Sequence, residues 1–153
     1  MSPAPRVHRF RPRYRGVAWI AIGAGLLLGA IGAATAQGIW LAGAAIGIAL
    51  GALYLGSPAW RLAVRVDDAA LEVTAGKARR FRLAWGDVIR VVASPSTHSC
   101  FVDGGTPAHS LLVPGDGAPA PYDVEDRAGL YAAIVAHVPA DRLVEVETLE
   151  GAC

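Results

Sequence analysis

Residues 16–56 read GVAWIAIGAGLLLGAIGAATAQGIWLAGAAIGIALGALYLG and contain no charged side chain. One straight helix of this length would extend about 60 Å, roughly twice the hydrocarbon thickness of a bilayer. We therefore expect the run to break at its one polar patch, Thr35-Ala36-Gln37-Gly38. As helices, residues 17–34 and 39–56 would each be about 27 Å long, which is enough to cross a membrane. The sequence thus predicts a transmembrane helical hairpin over residues 16–57.

A buried hairpin in the core of a soluble protein is the first alternative. A helix on the surface of a soluble core normally carries a polar stripe, and neither half of the run has one. The spans also contain no ionisable group, which is the usual marker of an ion or proton pathway. The pattern therefore favours a membrane anchor over a soluble core or a transporter.

Small residues recur at helical spacing inside both predicted spans. Without a Cβ atom, glycine allows two helix backbones to approach closely and gain dispersion contacts. We expect these glycines to pack the two helices of the hairpin against each other, with a seam between two copies of the chain as the alternative. They are Gly25, Gly29, Gly43, Gly47 and Gly51.

Basic residues flank the apolar run on both sides, and its predicted turn has none. Five arginines precede it, and Arg61 and Arg65 follow it. The positive-inside rule then places both termini in the cytoplasm, at a bacterial inner membrane. Residues 1–15 are predicted to be a basic arm that does not fold alone, and it serves either as a topology signal or as a contact for anionic lipid. The candidate lipid contacts in this arm are Arg9, Arg11, Arg13 and Arg15.

A cleaved signal peptide is the second alternative for the start of the chain. Ala34-Thr35-Ala36 matches a small-residue cleavage site. Cleavage after Ala36 would give an exported protein with an extracytoplasmic domain anchored by residues 39–56. The first apolar segment exceeds the about 7–15 residues that such signals use, so the uncleaved hairpin is favoured.

After the apolar run, the hydrophobic period changes from that of a helix to that of a strand. Apolar and polar residues alternate from residue 61 to residue 85, with turn residues at Asp67-Asp68 and Gly76-Lys77. This pattern predicts an antiparallel meander of three strands with one solvent-facing side. A more uniformly apolar fourth strand is predicted over residues 88–93, with further strands near residues 100–102 and 109–114.

A helix follows the predicted strands. Asp123 is the expected N-cap, Pro139 ends the helix, and apolar residues recur every four positions between them, at Leu130, Ile134 and Val138. Strands followed by one helix indicate a small α+β domain over residues 58–139. Residues 140–153 are predicted to form an acidic tail.

The domain resembles the pleckstrin-homology-like (PH-like) domains of bacterial membrane proteins that begin with a helical hairpin. The resemblance lies in the segments VRVD (residues 64–67), LEV (71–73) and FRLAWGDVIRV (81–91). It implies an antiparallel β-barrel or sheet capped by a C-terminal helix, and a binding or adaptor role without catalysis. Members that bind phosphoinositides have a basic first hairpin, whereas this chain has Asp67 and Asp68 there.

The distribution of charged residues and of potentially reactive side chains limits the classes of function that the domain can have. All 13 acidic residues lie after position 66, which argues against nucleic-acid binding by the domain. Arg80 and Arg82, on the predicted solvent face of the third strand, are further candidate contacts for anionic lipid. The segment around His98 and Cys100 contains nucleophile, base and metal-ligand types, but its spacing fits no known pattern, so an enzyme or metal site there is a minor alternative.

The sequence therefore predicts a membrane-anchored, non-catalytic PH-like adaptor on the cytoplasmic face, as an accessory or scaffolding subunit. Its expected partners are membrane lipids, an unidentified protein and further copies of the chain, and no cofactor is expected.

Overall fold

The computed structural model describes residues 6–149, and the chain divides into two compact units. One unit is the helical segment Pro12–Trp60. The other is a sheet domain that combines residues before Pro12 with residues after Trp60. The sheet domain contains both strands and a helix, so the α+β class predicted for it is confirmed.

The helical unit is a pair of helices, α1 (Arg15–Thr35) and α2 (Gly38–Leu55). They are separated by Ala36, which adopts a left-handed backbone conformation with φ 54°, and by Gln37. The Ala36 N–H donates to the Gly32 carbonyl, which closes the last turn of α1. The predicted break at Thr35–Gly38 is confirmed. Both helices are long and apolar enough to cross a membrane.

Within residues 6–149, the sheet domain contains nine strands and one helix of more than one turn. In chain order these are β1 (Arg6–Pro12), β2 (Leu62–Val66), β3 (Ala70–Ala75), β4 (Ala78–Ala84), β5 (Arg90–Ser94), β6 (Ser99–Asp103), β7 (Leu111–Val113), β8 (Tyr122–Val124), α3 (Arg127–His137) and β9 (Leu143–Glu145).

Five strands form the first sheet, in the order β4-β3-β2-β1-β8. The alternation that predicts β2, β3 and β4 is confirmed, because Val64, Val66, Leu71, Val73 and Leu83 all point into the core. The Asp67 side chain accepts hydrogen bonds from the N–H groups of Ala69 and Ala70, which fixes the turn between β2 and β3.

The prediction of a separate basic arm over residues 1–15 is wrong for its described part. Arg6–Pro12 form β1, which pairs antiparallel with β2 from Arg6 opposite Val66 to Arg9 opposite Ala63. The side chains of His8 and Phe10 are buried, whereas Val7 is exposed. The arginine-rich composition conceals this strand, since its partner lies beyond the whole helical pair in sequence.

Four strands form the second sheet, in the order β7-β6-β5-β9. The predicted strand over residues 88–93 begins two residues later, because Trp85–Asp87 form a turn of 3-10 helix and Val88–Ile89 lead out of it. The strand predicted over residues 109–114 is shorter, at Leu111–Val113. Part of the predicted tail also belongs to the domain, because β9 pairs in parallel with β5. Residues 150–153 of that tail lie outside the described part of the chain.

The C-terminal helix begins three residues later than predicted. Asp123 lies in β8, and Asp126 is the N-cap, with its carboxylate accepting from the Gly129 N–H at 3.2 Å. The predicted buried face is confirmed, since Leu130, Ile134 and Val138 lie in the core with residues of both sheets.

Candidate functional site

The two ends of the first sheet differ in their balance of charge. β1 and β3 run towards one end, and β2 and β4 start from it, so the turn between β3 and β4 lies beside the start of β2. The Gly76 N–H donates to the Arg61 carbonyl at 2.8 Å, which ties this turn to the beginning of β2. We name this the basic end, defined by Arg11, Arg61, Lys77, Arg79 and Arg80.

A β-bulge brings an additional arginine to the basic end. Thr74 lies opposite Arg79 and Val73 lies opposite Phe81, so Arg80 is the extra residue of β4. Strict alternation would turn Arg79 inward, but the extra residue resets the alternation and leaves both arginines exposed. Residues 76–80 are all exposed.

The opposite end of the sheet, which we name the acidic end, is where carboxylates are concentrated, although the exposed Arg6 and Arg65 also lie there. It contains Asp67, Asp68 and Asp87. The backbone N–H of Ala69 lowers the pKa of Asp67, with further lowering from Ala70, Arg82 and Arg65 that outweighs the opposing effect of burial. Arg82 lies towards this acidic end, with its guanidinium 3.8 Å from the Asp67 carboxylate.

The other predicted lipid contacts lie at different places. Arg9 is exposed on β1 opposite Ala63, and Arg11 forms an ion pair with Glu125 at 2.6 Å. Arg13 lies between β1 and α1, and Arg15 is the first residue of α1. Arg61, Lys77 and Arg79 were not among the predicted contacts. Strand direction places them at one end of the sheet. Because β2, β3 and β4 alternate in direction, the turn between β3 and β4 lies at the end of the sheet where β2 begins.

The predicted packing glycines lie between α1 and α2 at different distances. A Cβ atom at Gly25 would meet the Ala44 carbonyl oxygen at 2.9 Å, and one at Gly51 would meet the Ala18 carbonyl oxygen at 2.8 Å. A Cβ atom at Gly47 would lie 3.1 Å from a backbone oxygen. At Gly29 and Gly43, the nearest heavy atom would lie farther from the added Cβ, at 3.4 and 3.7 Å. Gly32, which is not among the predicted packing glycines, is also closely packed, against Leu41.

The segment around His98 and Cys100 places its two main candidate side chains in different surroundings, since His98 is exposed and Cys100 is not. Cys100 is fully buried, and burial raises the pKa of its thiol to about 12, which keeps it protonated and unreactive. His98 packs edge-on against Tyr131, and the nearby Asp103 and His109 have other partners, Arg90 and Thr106. Within residues 6–149, no three His, Cys, Asp or Glu side chains are grouped to hold a metal ion.

A groove of about 660 Å³ lies between the loop after β7 and the segment after β9. Leu112, Pro114, Pro119 and Leu149 provide apolar parts of its wall. At its edge, Arg127 bridges Asp116 and Asp123. Burial by itself would lower the pKa of the Arg127 guanidinium, but the hydrogen bonds and charges of the two carboxylates together raise it. The sequence gives no direct signal for this bridge, because its three residues belong to different elements.

Comparisons with protein-family models, with characterised proteins and with solved structures gave no match to this chain.

Proposed function

We propose that this chain is a membrane-anchored, non-catalytic adaptor with a PH-like sheet domain on the cytoplasmic face of a bacterial inner membrane. The observation that carries the proposal is the pairing of β1, which precedes the helical pair, with β2, which follows it. Two helices joined by a two-residue turn return the chain to the side from which it started. If the helices span a bilayer, both flanks therefore lie on one side, and their arginines favour the cytoplasm.

The surface of the helical pair supports insertion over burial in a soluble core. In the most apolar windows of α1 and α2, 17% and 11% of the residues are buried. Large aliphatic side chains such as Ile20, Ile39 and Leu53 are more than two-thirds exposed. A water-soluble core helix would bury such side chains, whereas lipid solvates them at no cost.

The position of β1 also argues against cleavage after Ala36. Cleavage would remove the strand that lies between β2 and β8 in the first sheet. It would also remove the buried side chains of His8 and Phe10 from the domain. The remaining domain would then expose apolar surface and unpaired backbone groups on β2 and β8, so we favour an uncleaved chain.

The order of elements supports the PH-like assignment within this proposal. A meander of β2, β3 and β4 is followed by a second meander of β5, β6 and β7, and α3 packs its apolar face into the shared core. β1, β8 and β9 extend this arrangement. The buried, unreactive Cys100 supports a binding role over the enzyme alternative.

Topology and processing can be tested on the full chain with one tagged protein. We expect a C-terminal fluorescent protein, which matures only in the cytoplasm, to fluoresce in the membrane fraction. An N-terminal epitope should remain on the same polypeptide and resist extraction with alkaline carbonate. A dark, shortened product without the N-terminal epitope would contradict the proposal and support the exported alternative.

A further inference from the structure

We propose that the basic end of the first sheet binds the anionic headgroups of the bilayer in which the chain is anchored. This inference rests on the proposed membrane anchorage. It assigns the lipid contact to the turn between β3 and β4 and to the start of β2, and it excludes Arg82.

Charge at the basic end is available for an external anion. Arg61, Lys77, Arg79 and Arg80 are exposed, and none of them forms an ion pair with any residue in the range 6–149. Arg11 is different, because Glu125 already neutralises it at 2.6 Å. Four uncompensated cations on adjacent strand ends are attracted to a surface of phosphate groups.

The chain path favours lipid over an acidic protein as the source of these phosphates. Only Arg13 and Tyr14 connect β1 to α1, and α2 returns to β2 through the short turn Pro58–Arg61. Both connections join the strands at the basic end, since β1 finishes there and β2 begins there. Covalent reach therefore keeps these cations close to the headgroups beside α1 and α2.

The distribution of charge along the strands agrees with this orientation. Asp67, Asp68 and Asp87 lie at the far end of the same sheet, where an anionic surface would repel them least. Arg82 is engaged with Asp67 near that end. A sheet that approached the bilayer by this end would bring Asp67, Asp68 and Asp87 towards the anionic headgroups.

Hydrogen exchange of the full-length protein in nanodiscs tests this inference. We compare discs of neutral phosphatidylcholine with discs that contain phosphatidylglycerol. The amides of residues 75–80 should exchange about fivefold or more slowly in the anionic discs, and high salt should abolish the difference. The triple variant K77Q/R79Q/R80Q should lose the difference. The matched control R65Q/R82Q/R90Q removes three exposed arginines elsewhere and should retain it.

Equal exchange of residues 75–80 in both kinds of disc would overturn the inference, as would a difference that persists in the K77Q/R79Q/R80Q variant. The same measurement reports separately on the anchor. If residues 75–80 exchange equally in both discs but the amides of α1 and α2 are protected in both, the lipid contact is wrong and the proposed membrane anchorage is retained. Rapid exchange throughout α1 and α2 would overturn both proposals.

Discussion

At the scale of single residues, glycine has opposite roles within α1. Gly23 has no heavy atom within 4 Å of the position of a Cβ, whereas the corresponding positions at Gly25 and at Gly51 of α2 are blocked by backbone oxygens. A backbone oxygen cannot rotate away as the end of a side chain can. Replacing the two kinds of glycine by alanine should therefore change the stability of the helical pair in opposite directions.

We expect Gly51→Ala to destabilise the helical pair by about 1–3 kcal/mol, because the added methyl group would force the two helices apart. Gly23→Ala should instead be neutral or stabilising by about 0.5–1 kcal/mol, through the better helix propensity of alanine. Thermal unfolding of the two variants in the same detergent measures both effects. Equal destabilisation by both would show that Gly51 is not at a close helix contact.

Asp67 gives a residue-scale prediction with a pH dependence. Its pKa is lowered in the folded state, so its contribution to stability is present above its unfolded pKa and is lost as pH falls through its folded pKa. Asp67→Ala should cost about 0.5–2 kcal/mol at pH 7 by removing the acceptor for Ala69 and Ala70. Asp67→Asn keeps an acceptor oxygen and should cost less. In urea unfolding, the deficit of the alanine variant should shrink towards pH 3; a deficit independent of pH would contradict this account.

At the scale of elements, β1 is the strand that connects the segment before the helical pair to the sheet formed after it. It lies between β2 and β8, and the Glu125 N–H donates to the Arg9 carbonyl at 2.9 Å. Its alternation places Phe10 in the core against Tyr122, with ring centroids 5.1 Å apart, and leaves Val7 exposed. If β1 belongs to the sheet, its two apolar residues should differ sharply in their effect on stability.

Phe10→Ala should destabilise the sheet domain by about 3–5 kcal/mol, because it leaves a cavity beside Tyr122. Val7→Ala is the matched control on the solvent side of the same strand and should change stability by less than about 0.5 kcal/mol. Limited proteolysis of both full-length variants in membranes reports the difference. Similar protease resistance of the two would mean that β1 is not part of the folded domain.

The elements show which parts of the fold the sequence can predict. The charge-free run predicts the helical pair, and period-two alternation predicts β2, β3 and β4, because each signal is local and repeated. β1 and β9 escape prediction, since a strand of three to seven residues with mixed polarity is defined only by a distant partner. The same limit applies to the basic end. The sequence places Lys77, Arg79 and Arg80 together, but their grouping with Arg61 depends on strand direction.

At the scale of the whole molecule, the central claim is that the chain enters and leaves the membrane on one side and closes a single sheet there. The pairing of β1 with β2 requires both flanks of the helical pair to share a compartment. If α1 and α2 span the membrane, the turn between them, at Ala36 and Gln37, lies in the other compartment. These two statements can be tested together, because each places an exposed residue on a defined side.

Labelling with a membrane-impermeant thiol reagent is the most direct measurement of this claim. Single cysteines replace Gln37 or Lys77, both exposed, in a chain that also carries Cys153→Ser; Cys100 is buried and stays protonated. In intact spheroplasts, Gln37→Cys should be labelled, whereas Lys77→Cys should be labelled only after the membrane is permeabilised. Labelling of Lys77→Cys in intact spheroplasts, with or without labelling of Gln37→Cys, would contradict the account.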